Sequence, residues 1–145
     1  MSYSTIMVQL DLDQPNEARL QVASAFAKAF NSRLIGIAAG DVQPIYFAEG
    51  VPAEEFLEKD RAAIASHFAT LEREFRERFK GHSESVEWRS ALARPADYVA
   101  QQARAADLVI VGSRAGGIDR LRQVDAGELV LSAGRPLLAV PPQAP

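Results

Sequence analysis

The chain contains no cysteine, which removes disulfides, thiolate metal centres and cysteine nucleophiles and fits a reducing compartment. Histidine is scarce as well. His67 and His82 are the two present, and their separation gives no pair at metal-ligand spacing. Long apolar runs are missing: nowhere do 18 apolar residues follow one another, and Met1 to Ile6 show no basic stretch leading into an apolar one. These absences predict a soluble, unexported, cytoplasmic protein with no membrane partner. A basic excess is also lacking. Sixteen Lys+Arg stand against nineteen Asp+Glu, for a net charge of -3, and the cations are dispersed, so nucleic acid is not expected as a partner. There is no G-x-S-x-G elbow and no evident base beside Ser113, which argues against an enzyme.

What remains is a chain of 145 residues, 48% hydrophobic and 24% charged, the size and balance of one domain. That domain is expected over residues 4–142, with 143–145 a loose tail. Thr5 to Asp11 reads as a first strand that ends in an acid at the sheet rim. Asp13 is placed to cap a helix starting near Pro15, with Leu20, Ala23, Ala27 and Phe30 on one stripe and Val22, Phe26 and Ala29 beside it. Arg33 to Ala39 follows as a second buried strand whose small residues, Ala38 among them, leave room for backbone or ligand to approach. Residues 40–52 hold the breakers Pro44, Gly50 and Pro52 with Ile45, Tyr46, Phe47 and Val51. They read as a surface loop pinned by those side chains, or as a cover.

Ala53 to about Lys80 is a long helix, with Leu57, Ile64, Phe68, Leu71, Phe75 and Phe79 at helical spacing. Ser85 to Ala91 alternates with period two, as a strand near the sheet edge does. Pro95 opens a third helix, Val124 to Ala133 suits a fourth ended by Gly134, and Pro136 to Pro141 reads as a last strand closed by proline. The resulting β-α-β-loop-α-β-α-β-α-β order predicts a five-stranded parallel α/β sheet with helices on both faces.

The densest signal is Leu108-Val109-Ile110-Val111-Gly112-Ser113-Arg114-Ala115-Gly116-Gly117. An unbroken aliphatic run fits a strand buried on both faces, and the glycines at its carboxyl end let backbone N–H groups approach an anion. The segment fits neither G-x-x-x-x-G-K-[ST] nor G-x-G-x-x-G. Its glycines serve either a phosphate-bearing ligand or a tight turn. Ligands of such sheets bind beyond the strand carboxyl ends where the winding reverses. If strands one and four are neighbours, Asp11 and residues 112–117 share one crevice.

This arrangement resembles the universal stress protein family from Thr5 to Pro141. The resemblance rests on Ile6 to Asp11, on Ala106 to Arg114 and on Ala133 to Pro141. It implies a Rossmann-like, adenine nucleotide alpha hydrolase-like fold in which some members bind ATP with Mg in the crevice and others bind none. Carried over residue by residue, the implied cofactor-binding set is Asp11, Ala38, Val111, Gly112, Ser113, Arg114, Gly116 and Gly117. The family's glycine pattern is broken here: Ala115 stands where its second glycine falls, and Asp125-Ala126, or Gln123-Val124 in the shorter alignment, replaces its glycine-serine pair. The resemblance further implies a homodimer formed through Leu137 to Val140, the last strand pairing antiparallel with its mate. Asp125 is suited to cap the fourth helix itself, and Arg114, Arg120 and Arg122 serve either as donors to an anion or for solubility and ion pairing with Asp119 and Asp125. Two functions lead, a stress-response protein with weak or altered ATP binding and a nucleotide-independent dimeric interaction module, with a small hydrolase as the third alternative.

Overall fold

Aliphatic runs without alternation build the centre of the sheet. β1 (Thr5–Gln9) pairs with β2 (Arg33–Gly40) on one side and with β4 (Leu108–Gly112) on the other, and all three are almost wholly buried. The computed structural model describes residues 3–12, 14–42, 53–113 and 119–142. β3 (Val86–Leu92) and β5 (Leu137–Val140) complete a five-stranded, all-parallel sheet of order β3-β2-β1-β4-β5. The period-two pattern in β3 thus reflects an edge strand with one wetter face.

Two layers of helices cover the two faces. α1 (Glu17–Phe30) and α2 (Ala53–Arg78) place Leu20, Ala23, Ala27, Ile64, Leu71 and Phe75 against Ile6, Val8 and Leu10. On the opposite face, α3 (Pro95–Gln102) and α4 (Ala126–Ala133) place Val99 and Leu129 against Met7, Ile35, Val109 and Val111. A 3-10 turn at Ala103–Ala105 joins α3 to β4. Successive side chains of β1 point to opposite faces, Ile6 and Val8 to one layer and Met7 to the other, so one strand serves both. No helix among the described residues is long and apolar enough to cross a membrane.

The boundaries differ from the sequence expectations for local reasons. β1 stops short of Asp11: Leu10 N still donates to the Ile37 carbonyl at 2.9 Å, but Asp11 N turns to the Asn16 side chain. α1 begins at Glu17, not Pro15: the Asn16 side chain turns back, accepting from Asp11 N at 2.9 Å and donating to Asp11 O at 3.1 Å. α4 begins at Ala126 rather than Val124 because Asp125 is its cap residue and Val124 is buried. It ends at Gly134, whose φ of 64° is the left-handed conformation glycine takes without strain. Asp13, residues 43–52 of the expected loop and the 143–145 tail lie outside the described residues.

Candidate functional site

Adjacency of β1 and β4 brings Asp11 and Gly112 to one crevice, as the topological argument requires. Between them stands Arg19, delivered by the first turn of α1. Its Nη2 donates to Asp11 Oδ2 at 2.8 Å, and its Nη1 donates to the Gln9 carbonyl at 2.7 Å and to Gln9 Oε1 at 2.8 Å. Gln9 Nε2 in turn donates to Asp11 Oδ1 at 2.9 Å. Arg19, Gln9 and Asp11 therefore close a ring of hydrogen bonds in which both Asp11 oxygens are engaged. Both charged side chains are at most 5% exposed. A buried ion pair needs further hydrogen bonds to offset its desolvation, and Gln9 supplies them to both partners.

Gly112 acquires a physical role from the same geometry. A Cβ added there would lie 2.7 Å from Arg19 Nη2 and 2.9 Å from Arg19 Cζ. The missing side chain thus admits a guanidinium of this chain against the end of β4. Ser113 is half-buried, and its backbone N–H donates to the Val140 carbonyl at 2.8 Å, continuing the β4–β5 pairing. Val111 and Ala38 are wholly buried, Val111 in the α3/α4 core and Ala38 in the α1/α2 core. Arg114, Gly116 and Gly117 lie outside the described residues.

The start of α4 is also filled from within. Asp125 Oδ1 accepts from Gly127 N at 3.1 Å, and Asp125 Oδ2 meets Arg120 Nη2 at 3.2 Å. Glu128, in the first turn, is gripped by Arg94 from the start of α3 and by Arg120 Nε at 3.2 Å. These hydrogen bonds hold the Glu128 carboxyl below its ordinary range and push the Arg94 guanidinium up, the mutual side-chain bond being the largest cause for each. Carboxylates at a helix start are favoured by its dipole, and here they lie where an external anion would seek the bare N–H groups. Asp119 takes a different part from the expected ion pair. Its carboxyl accepts from Leu121 N at 3.0 Å and its carbonyl accepts from Arg122 N and Gln123 N, shaping the turn before α4. Gln123 is 6% exposed, and its Oε1 has no partner among the described residues.

Arg19, Gln9, Arg94 and Glu128 escaped the sequence reading. One signal for Arg19 was present: it falls on the helical stripe of Ala23 and Ala27, an inward line on which an arginine needs a buried acid. Of the histidines, His67 Nδ1 lies 3.2 Å from the Leu12 carbonyl and His82 Nε2 lies 2.7 Å from the Ser32 carbonyl. Among the described residues no group of three or more His, Asp or Glu is placed to hold a metal ion.

Comparison with known proteins agrees with this architecture. The universal stress protein UspA from Lactobacillus plantarum has a similar fold, with a TM-score of 0.76 at 16% identity over 97% of this chain and 99% of that one. A universal stress protein in complex with cAMP gives 0.58 at 19% identity over 99% and 100%. A family protein from Arabidopsis thaliana with AMP bound gives 0.64 at 15% identity over 97% and 93%. No curated protein matches the sequence. The model of the Universal stress protein family matches residues 2–141, and with that nearly complete match the chain belongs to the family.

Proposed function

We propose that this chain is a stress-response domain of the cytoplasm whose nucleotide crevice is filled by its own side chains, and that it acts as a homodimer through protein contacts. The observation that carries this reading is the buried Arg19–Gln9–Asp11 ring. In relatives that hold a nucleotide, the resemblance assigns the aspartate at this position to the ligand; here both its oxygens are bonded within the chain. The carboxylates of Asp125 and Glu128 at the start of α4 support the same reading, since they repel phosphate. β5 offers the dimer surface. It is the outer strand of the sheet, with Leu137 and Leu138 half-buried and Ala139 exposed, and its free backbone groups suit pairing with a twofold mate.

A second reading has support of its own. Structures of similar fold hold cAMP or AMP, and the part-exposed Gly112 and Ser113, with the unpartnered Gln123 Oε1, offer polar groups to an adenine nucleotide seated away from Asp11. Calorimetric titration with ATP and magnesium, AMP and cAMP separates the two. The first reading expects no saturable heat up to roughly 1 mM ligand. Saturable binding that persists in Asp11→Ala establishes the second reading, and saturable binding lost in Asp11→Ala overturns the claim that Asp11 is withheld. For the dimer, Leu138→Lys is expected to shift sedimentation toward monomer; an unchanged dimer removes β5 from the interface.

A further inference from the structure

The amino end of the sheet, opposite the crevice, holds a second feature. There the last turns of α3 and α4 border a cleft of about 810 Å3 lined chiefly by Gln101, Arg104, Ser132, Gly134 and Arg135. Its floor is made of small residues, Ala100, Ala133 and Gly134. Among the described residues no carboxylate lines it and neither arginine joins an ion pair. Arg135 Nη2 donates to the Arg104 carbonyl at 3.3 Å, which draws the Arg135 side chain toward the 3-10 turn that carries Arg104. The Arg104 side chain donates to no described residue, so nearly all the N–H groups of two guanidinium forks remain for another acceptor.

Such a concentration of donors is unusual in a chain of net charge -3. Arginines that serve only solubility are interspersed with acids on a mixed surface. The favourable field at a helix C-terminus accounts for one arginine at each of the two helix ends, Arg104 after α3 and Arg135 after α4, but not for both bordering one concave space that no carboxylate of the described residues lines. We propose that this cleft is an anion site that takes a phosphate group. Phosphate suits it better than a single carboxylate because its oxygens can accept from two guanidinium forks at once. The volume exceeds that of the phosphate itself and lies in the range of small-ligand sites, which leaves room for the group that bears it. That group is either a small phosphorylated metabolite or a phosphorylated side chain of a partner protein. The site stands at the far end of the sheet from Asp11 and is independent of what the crevice does.

The test is a titration of the full chain, followed by amide resonances in 1H–15N spectra, with pyrophosphate, with a phosphoserine peptide and with sodium chloride at matched ionic strength. The site predicts saturable shifts at Gln101 and Gly134 with a dissociation constant on the order of 1 mM for at least one phosphate probe. Arg104→Gln and Arg135→Gln each weaken that binding by about tenfold, while the resonances of the sheet core stay in place. A response to pyrophosphate alone identifies the metabolite as source; a tighter response to the peptide identifies the partner protein. Shifts reproduced by chloride, shifts that leave Gln101 and Gly134 untouched, or affinities unchanged in both arginine variants overturn the proposal.

Discussion

The two ends of the sheet treat arginine in opposite ways. At the carboxyl end, Arg19, Arg94 and Arg120 are each matched to carboxylates of this chain, namely Asp11, Glu128 and Asp125. At the amino end, Arg104 and Arg135 have no such match among the described residues. The carboxyl end is where α/β sheets ordinarily admit a ligand, yet it is there that these three arginines are neutralised internally. Cation count alone is therefore a poor guide to a binding surface. What matters is which cations still lack a counter-ion after the chain has folded.

The sharpest way to break this contrast is at Arg19. Arg19→Met leaves the Asp11 carboxylate buried without its partner, and such a loss costs about 3–5 kcal/mol. Urea denaturation measures it. Adding Asp11→Asn to the same chain is expected to recover part of the loss, because a neutral amide needs no counter-ion; a double variant no more stable than the single one contradicts the ring as described. Next in size is Gly112→Ala. The new Cβ meets a guanidinium already held by Gln9 and Asp11, so the chain loses about 1–3 kcal/mol, whereas a glycine kept merely for a turn would tolerate alanine with far less.

A smaller effect sharpens the comparison through pH. The folded state depresses the Glu128 carboxyl through its bonds to Arg94 and Arg120. A depressed carboxyl stabilises the fold above the ordinary glutamate range and loses that contribution as pH falls through its lowered value. Glu128→Gln is therefore expected to flatten the stability profile at and below about pH 4, read from thermal melts at a series of pH values. The smallest effect belongs to the amino end. Arg104→Gln removes a cation that supports no ion pair among the described residues, and stability should change by less than about 0.5 kcal/mol, in contrast to Arg19.

The fold was legible because it depends on runs and periods. Leu108 to Val111 and Ile35 to Ala39 announce doubly buried strands without reference to anything else in the chain, and Gly134 and Asp125 mark helix ends by local chemistry alone. The site was half legible. Asp11 and Gly112 could be placed in one crevice from strand order, but what fills the crevice could not. An arginine on α1 reads as a solvated residue unless its facing partner is known, and Gln9 reads as one polar residue in a strand. Their meaning arises only when α1 is laid across the ends of β1 and β4. The end of β1 and the start of α1 moved for the same reason: Asn16 and Asp11 bond to each other, and neither position reveals this separately.

The place of β1 in the sheet has a consequence for how the protein is made. β1 lies at the centre, yet one of its two neighbours is β4, and the Thr5 backbone N–H reaches the Asp107 carboxylate across 102 positions of sequence. While a ribosome is still extending the chain through α2 and β3, one flank of the most buried strand has no partner. Unpaired apolar strand edges recruit other chains, so the nascent protein is most vulnerable in the interval before residues 108–112 emerge. Closure of the sheet then awaits residues 108–112, and crowding of identical nascent chains during that interval is the circumstance in which this fold is easiest to lose.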